Sequence, residues 1–233
     1  RDETGRFVED AGDDADGDDQ GGATPLETDA EQMAGDTVAE SILFEGKAML
    51  SVPGWSREDF LRGVNDKGHI VEPCTGDGDA THMFTVDGIR VAVSVSHCPI
   101  PQDEAVGMAR RNDEWPLAVE TAKSHVVHAV ISVYGNEESL LECGRLYAGL
   151  MDVCCHLPNV SAICPNGVAY EPQQYSALAG AVDGDELPVQ CWIWVGTYKG
   201  EAGTCAYTLG MGAFCKDEME VLDSHLSSSE VRD

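Results

Sequence analysis

The dipeptide Asp87-Gly88 limits the fold of this chain more than any other feature of its sequence. Both residue types tolerate the positive φ angles of a two-residue β-turn, and apolar residues alternate on both sides, in THMFTV before the turn and IRVAVSVS after it. The pattern predicts a β-hairpin. Its second strand is expected to end before Pro99 and Pro101, because proline has no amide N–H to donate to a neighbouring strand.

Strands and helices alternate around this hairpin. A first strand is predicted in ESILFEGKAMLSV and a central strand in HVVHAVISVY, whose two faces are both largely apolar. N-cap signals and helical spacing predict three helical segments, 56–64, 102–124 with a break over 112–116, and 138–157. This order predicts an α+β fold, in which a mostly antiparallel, mixed sheet has helices packed on one face. It also allows two βαβ-like halves.

The last third of the sequence predicts a second hairpin, because PVQCWIWVGTY and TCAYTLGMGAF flank the short polar loop KGEAG. A final strand is predicted in EMEVL, over 218–222. The predicted register of the hairpin pairs Tyr198 with Thr204, Trp194 with Thr208 and Trp192 with Gly210.

The tryptophan pair of this hairpin has two interpretations. If Trp192 and Trp194 are buried, the apolar stripe of the predicted helix 138–157 is their best cover. If they are exposed, they form a platform for a small molecule or a protein partner. We expect them to be buried.

Acidic residues dominate the composition, with 42 Asp and Glu against 14 Lys and Arg and a formal net charge of -28. Residues 1–40 hold fourteen of the acids and only two arginines, so we predict a disordered acidic arm before a single α+β domain over 41–233. The charge argues against nucleic acid and anionic membrane as partners and favours a basic protein. The sequence specifies no oligomeric state.

Membrane insertion and export are not predicted either. No run reaches the roughly 18 to 20 apolar residues of a membrane helix, and the first residues lack the basic start and apolar stretch of a signal peptide. The nine cysteines are odd in number, form no Cys-x-x-Cys pair and lie mostly in apolar runs. They are therefore interpreted as reduced, buried thiols, which favours the cytoplasm.

Two short clusters contain residue types that bind zinc, namely His97-Cys98 and Cys154-Cys155-His156. Adjacent strand residues point to opposite faces, and residues two apart on a helix are separated by about 200°. Neither cluster brings its side chains onto one ion, whereas zinc needs four converging ligands. No metal and no cofactor is predicted.

Candidate catalytic residues are His97, His125 and His128 as bases and Cys98 as a nucleophile. A reactive thiolate needs a nearby cation or base, and no Lys or Arg lies close to Cys98 in the sequence. His125 and His128 share a face only if they are helical, and the predicted strand starts between them.

Other catalytic signals are weak. Glu218 and Glu220 share a strand face, which is typical of a solvated surface. The sequence contains no G-x-S-x-G, no P-loop and no G-x-G-x-x-G before a helix.

Four stretches, taken in order, resemble the bacterial family known as domain of unknown function 4261. They are DGIRVAVSVSHCPIP, HVVHAVISVYG, PVQCWIWV and TLGMGAFCKDEMEVLDS, and the resemblance covers about 41–223. Such sequences usually have a glycine at the position of Cys215, so the local turn is expected to differ here. The resemblance implies a fold and a bacterial cytoplasmic setting, and it implies no activity.

The leading hypothesis is a non-enzymatic protein-binding or accessory factor with an acidic surface. The alternative is an enzyme or small-molecule-binding module whose site assembles only in the fold, from His97, Cys98, His125, His128 or the Trp192/Trp194 face. A deep pocket with converging polar groups favours the alternative.

Overall fold

A computed structural model of the protein describes residues 41–74, 81–180 and 186–232, which all belong to one compact unit. The predicted acidic arm, 1–40, lies outside the described residues. The strands are β1 (Ser41–Leu50), β2 (Val71–Pro73), β3 (Thr81–Val86), β4 (Ile89–Ser96), β5 (Val127–Gly135), β6 (Val160–Cys164), β7 (Trp194–Lys199), β8 (Thr204–Leu209) and β9 (Glu220–Ser224). The helices are α1 (Arg57–Asp66), α2 (Gln102–Arg111), α3 (Ala118–Ser124), α4 (Leu140–Cys155), α5 (Pro172–Gly180), α6 (Val189–Trp192) and α7 (Ser228–Arg232).

Most of the predicted local structure is present. Asp87 and Gly88 have φ angles of 52° and 83° and connect β3 to β4, as their turn chemistry requires. The Ser56 hydroxyl accepts the Asp59 amide hydrogen at 3.1 Å and so caps α1. The helical segment 102–124 divides into α2 and α3, and the predicted helix 138–157 is α4. The α+β class is confirmed.

Six strands form the larger sheet, in the order β2-β3-β4-β5-β1-β6, and every neighbouring pair is antiparallel. β5 lies between β4 and β1, which confirms its predicted central position. No helix of the described segments is long and apolar enough to cross a membrane.

Helices cover both faces of this sheet, so the prediction that they pack on one face is wrong. Ala48 and Leu50 of β1 belong to the core that α1 and α4 cover. Met49, between them in sequence, belongs to a second core formed with α2 and α3. Successive strand residues point to opposite faces, and the central strands are apolar on both, so each face needs its own cover.

Two strand–helix–strand connections join strands that run parallel without being neighbours. α1 leads from β1 to β2, and α4 leads from β5 to β6. β1 of the first connection lies between β5 and β6 of the second. The two βαβ-like units that the sequence allowed are therefore present, and they interleave in one sheet.

The smaller sheet has the order β7-β8-β9, and its first hairpin differs from the predicted register by one residue. Tyr198 lies opposite Cys205, and Trp194 lies opposite Leu209. The Gly200 amide donates to the Gly203 carbonyl at 2.9 Å, which closes a loop one residue shorter than predicted. Trp192 lies before the strand, in the short helix α6.

A carboxylate from β9 organises this short loop. Asp223 Oδ1 accepts the amide hydrogens of Ala202 and Gly203 at 2.9 and 3.1 Å. Asp223 itself has a φ of 49° and lies where a bulge shifts the pairing of β9 with β8. A residue about twenty positions later in the chain therefore sets the register of the hairpin.

Candidate functional site

Three of the four predicted catalytic residues meet at one end of the six-stranded sheet. β4 and β5 are antiparallel, with Ser96 opposite His128, so the end of β4 adjoins the start of β5. His128 donates from Nδ1 to the Cys98 carbonyl at 3.0 Å. His125 Nε2 accepts the Ile100 amide hydrogen at 2.8 Å. These hydrogen bonds join the loop after β4 to the segment before β5.

His125 has no ring nitrogen left for catalysis. Its side chain is buried, Nε2 accepts from Ile100, and Nδ1 donates to the Ala122 carbonyl at 2.5 Å. This arrangement holds a neutral imidazole with both nitrogens engaged. His125 thus ties the end of α3 to the loop after β4, a structural role.

His128 and Cys98 contact each other through a backbone atom and do not form a thiol–imidazole pair. Burial is the main cause of a lowered pKa for His128, the nearby charge of Lys47 lowers it further, and the hydrogen bond to the Cys98 carbonyl opposes both. The thiol of Cys98 lies 3.2 Å from the Ser96 hydroxyl. The base that a cysteine nucleophile needs is therefore not positioned at its sulfur.

His97 lies apart from this contact. It is exposed and lines a cavity beside Arg57 and His82. His128 lies opposite Met49 where β5 pairs with β1, and it therefore belongs to the other face of the sheet. No three metal-ligating side chains converge anywhere in residues 41–74, 81–180 or 186–232. The sequence prediction that neither His97-Cys98 nor Cys154-Cys155-His156 is a zinc site stays a prediction.

Trp192 and Trp194 are buried, as expected, with 4% and 7% of their surfaces exposed. The Trp192 indole N–H donates to the Gly144 carbonyl of α4 at 2.8 Å, and a side chain at Gly144 would collide with the ring. Trp194 packs edge-on against Tyr170 at 5.5 Å. Since α4 and Tyr170 cover the two rings, the Trp192/Trp194 face is not available to a ligand.

The Glu218 and Glu220 side chains hold the smaller sheet together. Glu218 Oε1 accepts the amide hydrogens of Gly210 and Met211 at 2.9 and 3.1 Å, and its Oε2 accepts the Thr208 hydroxyl at 2.7 Å. Glu220 accepts the Tyr198 hydroxyl at 2.8 Å and raises the pKa of that phenol. Both carboxylates are hydrogen-bond acceptors for neighbouring strands and turns, which differs from an acid–base pair.

β9 is a candidate feature that sequence reasoning missed. It is an edge strand of its sheet, and large apolar side chains project from it and from the residue before it. Met219, Val221 and Leu222 are 59%, 48% and 64% exposed. A strand was predicted in EMEVL, over 218–222, and the observed strand begins two residues later, but its position at an edge depends on the fold. We take this edge as the candidate interaction site.

The chain matches no protein-family model, and no solved structure matches it. Part of it is similar to a phosphate acyltransferase of Brevibacillus brevis (strain 47), with 31% identity over 110 residues. That alignment covers 42% of this chain and 32% of the relative, so the chain spans about a third of the relative's length. The resemblance to domain of unknown function 4261 stays a prediction.

Proposed function

We propose that the protein is a non-enzymatic binding factor for a basic partner protein, and that β9 pairs with an extended segment of that partner. One observation supports this most directly, namely an edge strand that exposes apolar side chains among carboxylates. Strand addition to a sheet edge uses main-chain hydrogen bonds for affinity and side-chain contacts for specificity.

The backbone of β9 is suited to strand addition. Within the described residues it pairs only with β8, so one side of the strand has no neighbouring strand. Edge strands are usually protected by lysine, proline or a bulge. The segment 217–224 contains no Lys or Pro, and the bulge lies near the end, at Asp223. Residues 220 and 221 therefore present an edge that no lysine, proline or bulge blocks.

The negative charge around the β9 edge favours a cationic partner. Segment 216–224 contains one lysine and four carboxylates, Asp217, Glu218, Glu220 and Asp223. Internal hydrogen bonds hold Glu218 and Asp223 in place without removing their negative charge. A cationic segment is attracted to this edge, whereas a nucleic acid is repelled by it.

A reducing cytoplasm is the proposed setting. No disulfide links the nine cysteines within the described residues, and five of them are buried as small apolar side chains: Cys143, Cys154, Cys164, Cys191 and Cys205. The activity in the relative's name is not proposed for this chain, because the alignment covers only 32% of that protein.

A pair of designed peptides tests the proposal. The probes are fluorescein-labelled peptides that alternate valine with lysine or valine with glutamate, titrated against the full chain by fluorescence anisotropy. We expect the lysine peptide to bind and to slow hydrogen exchange of the amides at 220–222, because it adds backbone hydrogen bonds there. The glutamate peptide should not bind.

Val221→Lys places a cation on the edge and should weaken binding of the lysine peptide by about tenfold or more, equivalent to roughly 1.4 kcal/mol. Leu117→Lys is the matched control, because Leu117 is 59% exposed and lies between α2 and α3. Equal binding of both peptides, or equal loss in both variants, would contradict the proposal.

A further inference from the structure

Two tyrosine rings lie on one face of the smaller sheet. Tyr198 belongs to β7 and Tyr207 to β8, and their ring centroids are 6.3 Å apart. Tyr207 lies opposite Gly196, and a side chain at Gly196 would collide with the Tyr207 ring, so this glycine makes room for the ring over β7. Tyr207 therefore supports the Tyr198 ring, which is 43% exposed.

The Tyr198 side chain reaches across β8 to the edge strand. β8 lies between β7 and β9, and the Tyr198 hydroxyl donates to Glu220 Oε1 at 2.8 Å. Glu220 is exposed, and its Oε2 accepts no hydrogen bond from residues 41–74, 81–180 or 186–232. The tyrosine thus orients this carboxylate through one oxygen and leaves the other to accept from a ligand.

An exposed aromatic ring beside an available carboxylate oxygen suits one kind of cation. A guanidinium is planar, so it stacks on an aromatic face while its N–H groups donate to a carboxylate. A lysine ammonium is a compact, strongly hydrated point charge and lacks this planar fit. Lys199 does not occupy the place of such a cation, because it follows Tyr198 in β7 and alternation puts it on the opposite face.

We infer that the β9 edge prefers a partner segment with an arginine opposite Glu220, an inference that rests on the proposed strand addition. Neighbouring strands lie about 4.8 Å apart, and residues opposite each other share a face, so an added strand places one side chain directly beside Glu220. Its guanidinium donates to Oε2 and stacks on the exposed part of the Tyr198 ring. Four carboxylates and one lysine in 216–224 add a general attraction for cations.

Two designed peptides of equal length and charge test the preference. They alternate valine with arginine or valine with lysine, carry fluorescein, and are titrated against the full chain by fluorescence anisotropy. We expect the arginine peptide to bind about fivefold or more tightly than the lysine peptide, because only the guanidinium stacks on Tyr198. Equal affinities would overturn this inference and leave strand addition supported, whereas no binding of either peptide would overturn both proposals.

Removal of the carboxylate charge locates the arginine. Glu220→Gln should weaken binding of the arginine peptide by about tenfold, the loss of one charged hydrogen bond. Glu201→Gln is the matched control, because Glu201 is also exposed, lies in the loop between β7 and β8 and changes the net charge equally. Equal weakening in the two variants would overturn the site, since it would show only a general effect of charge.

Replacement of the ring tests the stacking contact. Tyr198→Leu should abolish the preference for arginine over lysine, whereas Tyr198→Phe keeps the ring and should keep a preference for arginine. The readout is the ratio of the two peptide affinities within each variant, which a smaller folded fraction leaves unchanged because it scales both affinities equally. An arginine preference as large in Tyr198→Leu as in the parent would overturn the inference.

Discussion

The six-stranded and the three-stranded sheets put apolar strand residues to different uses. In β1, Ala48 and Leu50 are at most 1% exposed because α4, with sixteen residues, packs across them. In β9, Val221 and Leu222 are about half exposed or more, and the nearby helix α7 has only five residues. An apolar strand pattern therefore does not decide burial by itself, since burial depends on the helix that covers it. The larger sheet buries its apolar strand residues, and the smaller sheet exposes those of the edge that we propose for binding.

Thiol reactivity should show the largest difference between the two regions. Burial raises the pKa of Cys164, on β6, to about 12, whereas Cys215, beside the smaller sheet, is exposed. At pH 8 the thiolate fraction of Cys164 is lower than that of an ordinary cysteine by roughly 10³. Alkylation of the native protein followed by peptide mass spectrometry should label Cys215 before Cys164. Similar labelling rates would show that β6 opens readily.

The raised pKa of Cys164 also predicts how the stability of the fold depends on pH. The unfolded chain releases the Cys164 proton near its ordinary pKa of 9.0, while the folded chain retains it up to about 12. The folded state binds more protons in this window, so the free energy of unfolding should fall as pH rises across it. Urea denaturation of the parent and of Cys164→Ala, at several pH values in this window, measures the difference in slope. Equal slopes would contradict the assignment to Cys164.

Trp192→Ala should have the next largest effect. The ring is 4% exposed, fills the space at Gly144 and donates to its carbonyl, so its loss should cost about 3 to 5 kcal/mol. Leu222→Ala on β9 is the control and should change stability by less than about 0.5 kcal/mol, because the side chain is 64% exposed. Urea denaturation of both variants beside the parent provides the test. A near-zero change for Trp192→Ala would remove the distinction between a covered and an exposed region.

Cys215→Gly should have the smallest effect, and it should be stabilising. Cys215 has a φ of 53°, a left-handed conformation that favours glycine, and it follows the 3₁₀ turn Met211–Phe214. Relief of this strain should raise stability by about 1 kcal/mol, net of the entropy of a new glycine. Cys98→Gly is the control, because Cys98 is also exposed and has no positive φ. A loss of stability in Cys215→Gly would show that the turn is not strained.

Structural features could be predicted from the sequence where the residues that cause them act on their close neighbours in the chain. Asp87-Gly88 and Ser56 act on their own neighbours, so the first hairpin and the start of α1 followed from the sequence. The second hairpin also followed from the sequence, but its register did not, because the register depends on Asp223, far along the chain. At Cys215 the turn was expected to differ from a glycine turn, yet the cysteine adopts the conformation that glycine favours.

The candidate sites show the same limit. The antiparallel pairing of β4 with β5, which the sequence analysis did not predict, brings His128 to the Cys98 segment. Whether the imidazole contacts a thiol or a carbonyl depends on atomic positions. Tyr198 and Glu220 come from separate strands, and no spacing in the sequence connects them. The exposed edge of β9 depends on which strands lie beside it.

The position of β1 between β5 and β6 has a consequence for synthesis on the ribosome. β1 ends at Leu50, and its partner strands begin at Val127 and Val160, so both sides of β1 wait for residues made much later. At roughly 5 to 20 residues per second, β1 waits for seconds or longer with an apolar strand exposed. Contacts between such distant residues also slow folding once the chain is complete. The nascent chain is therefore vulnerable to aggregation until β6 emerges, and chaperones that hold extended apolar segments have their longest opportunity at β1.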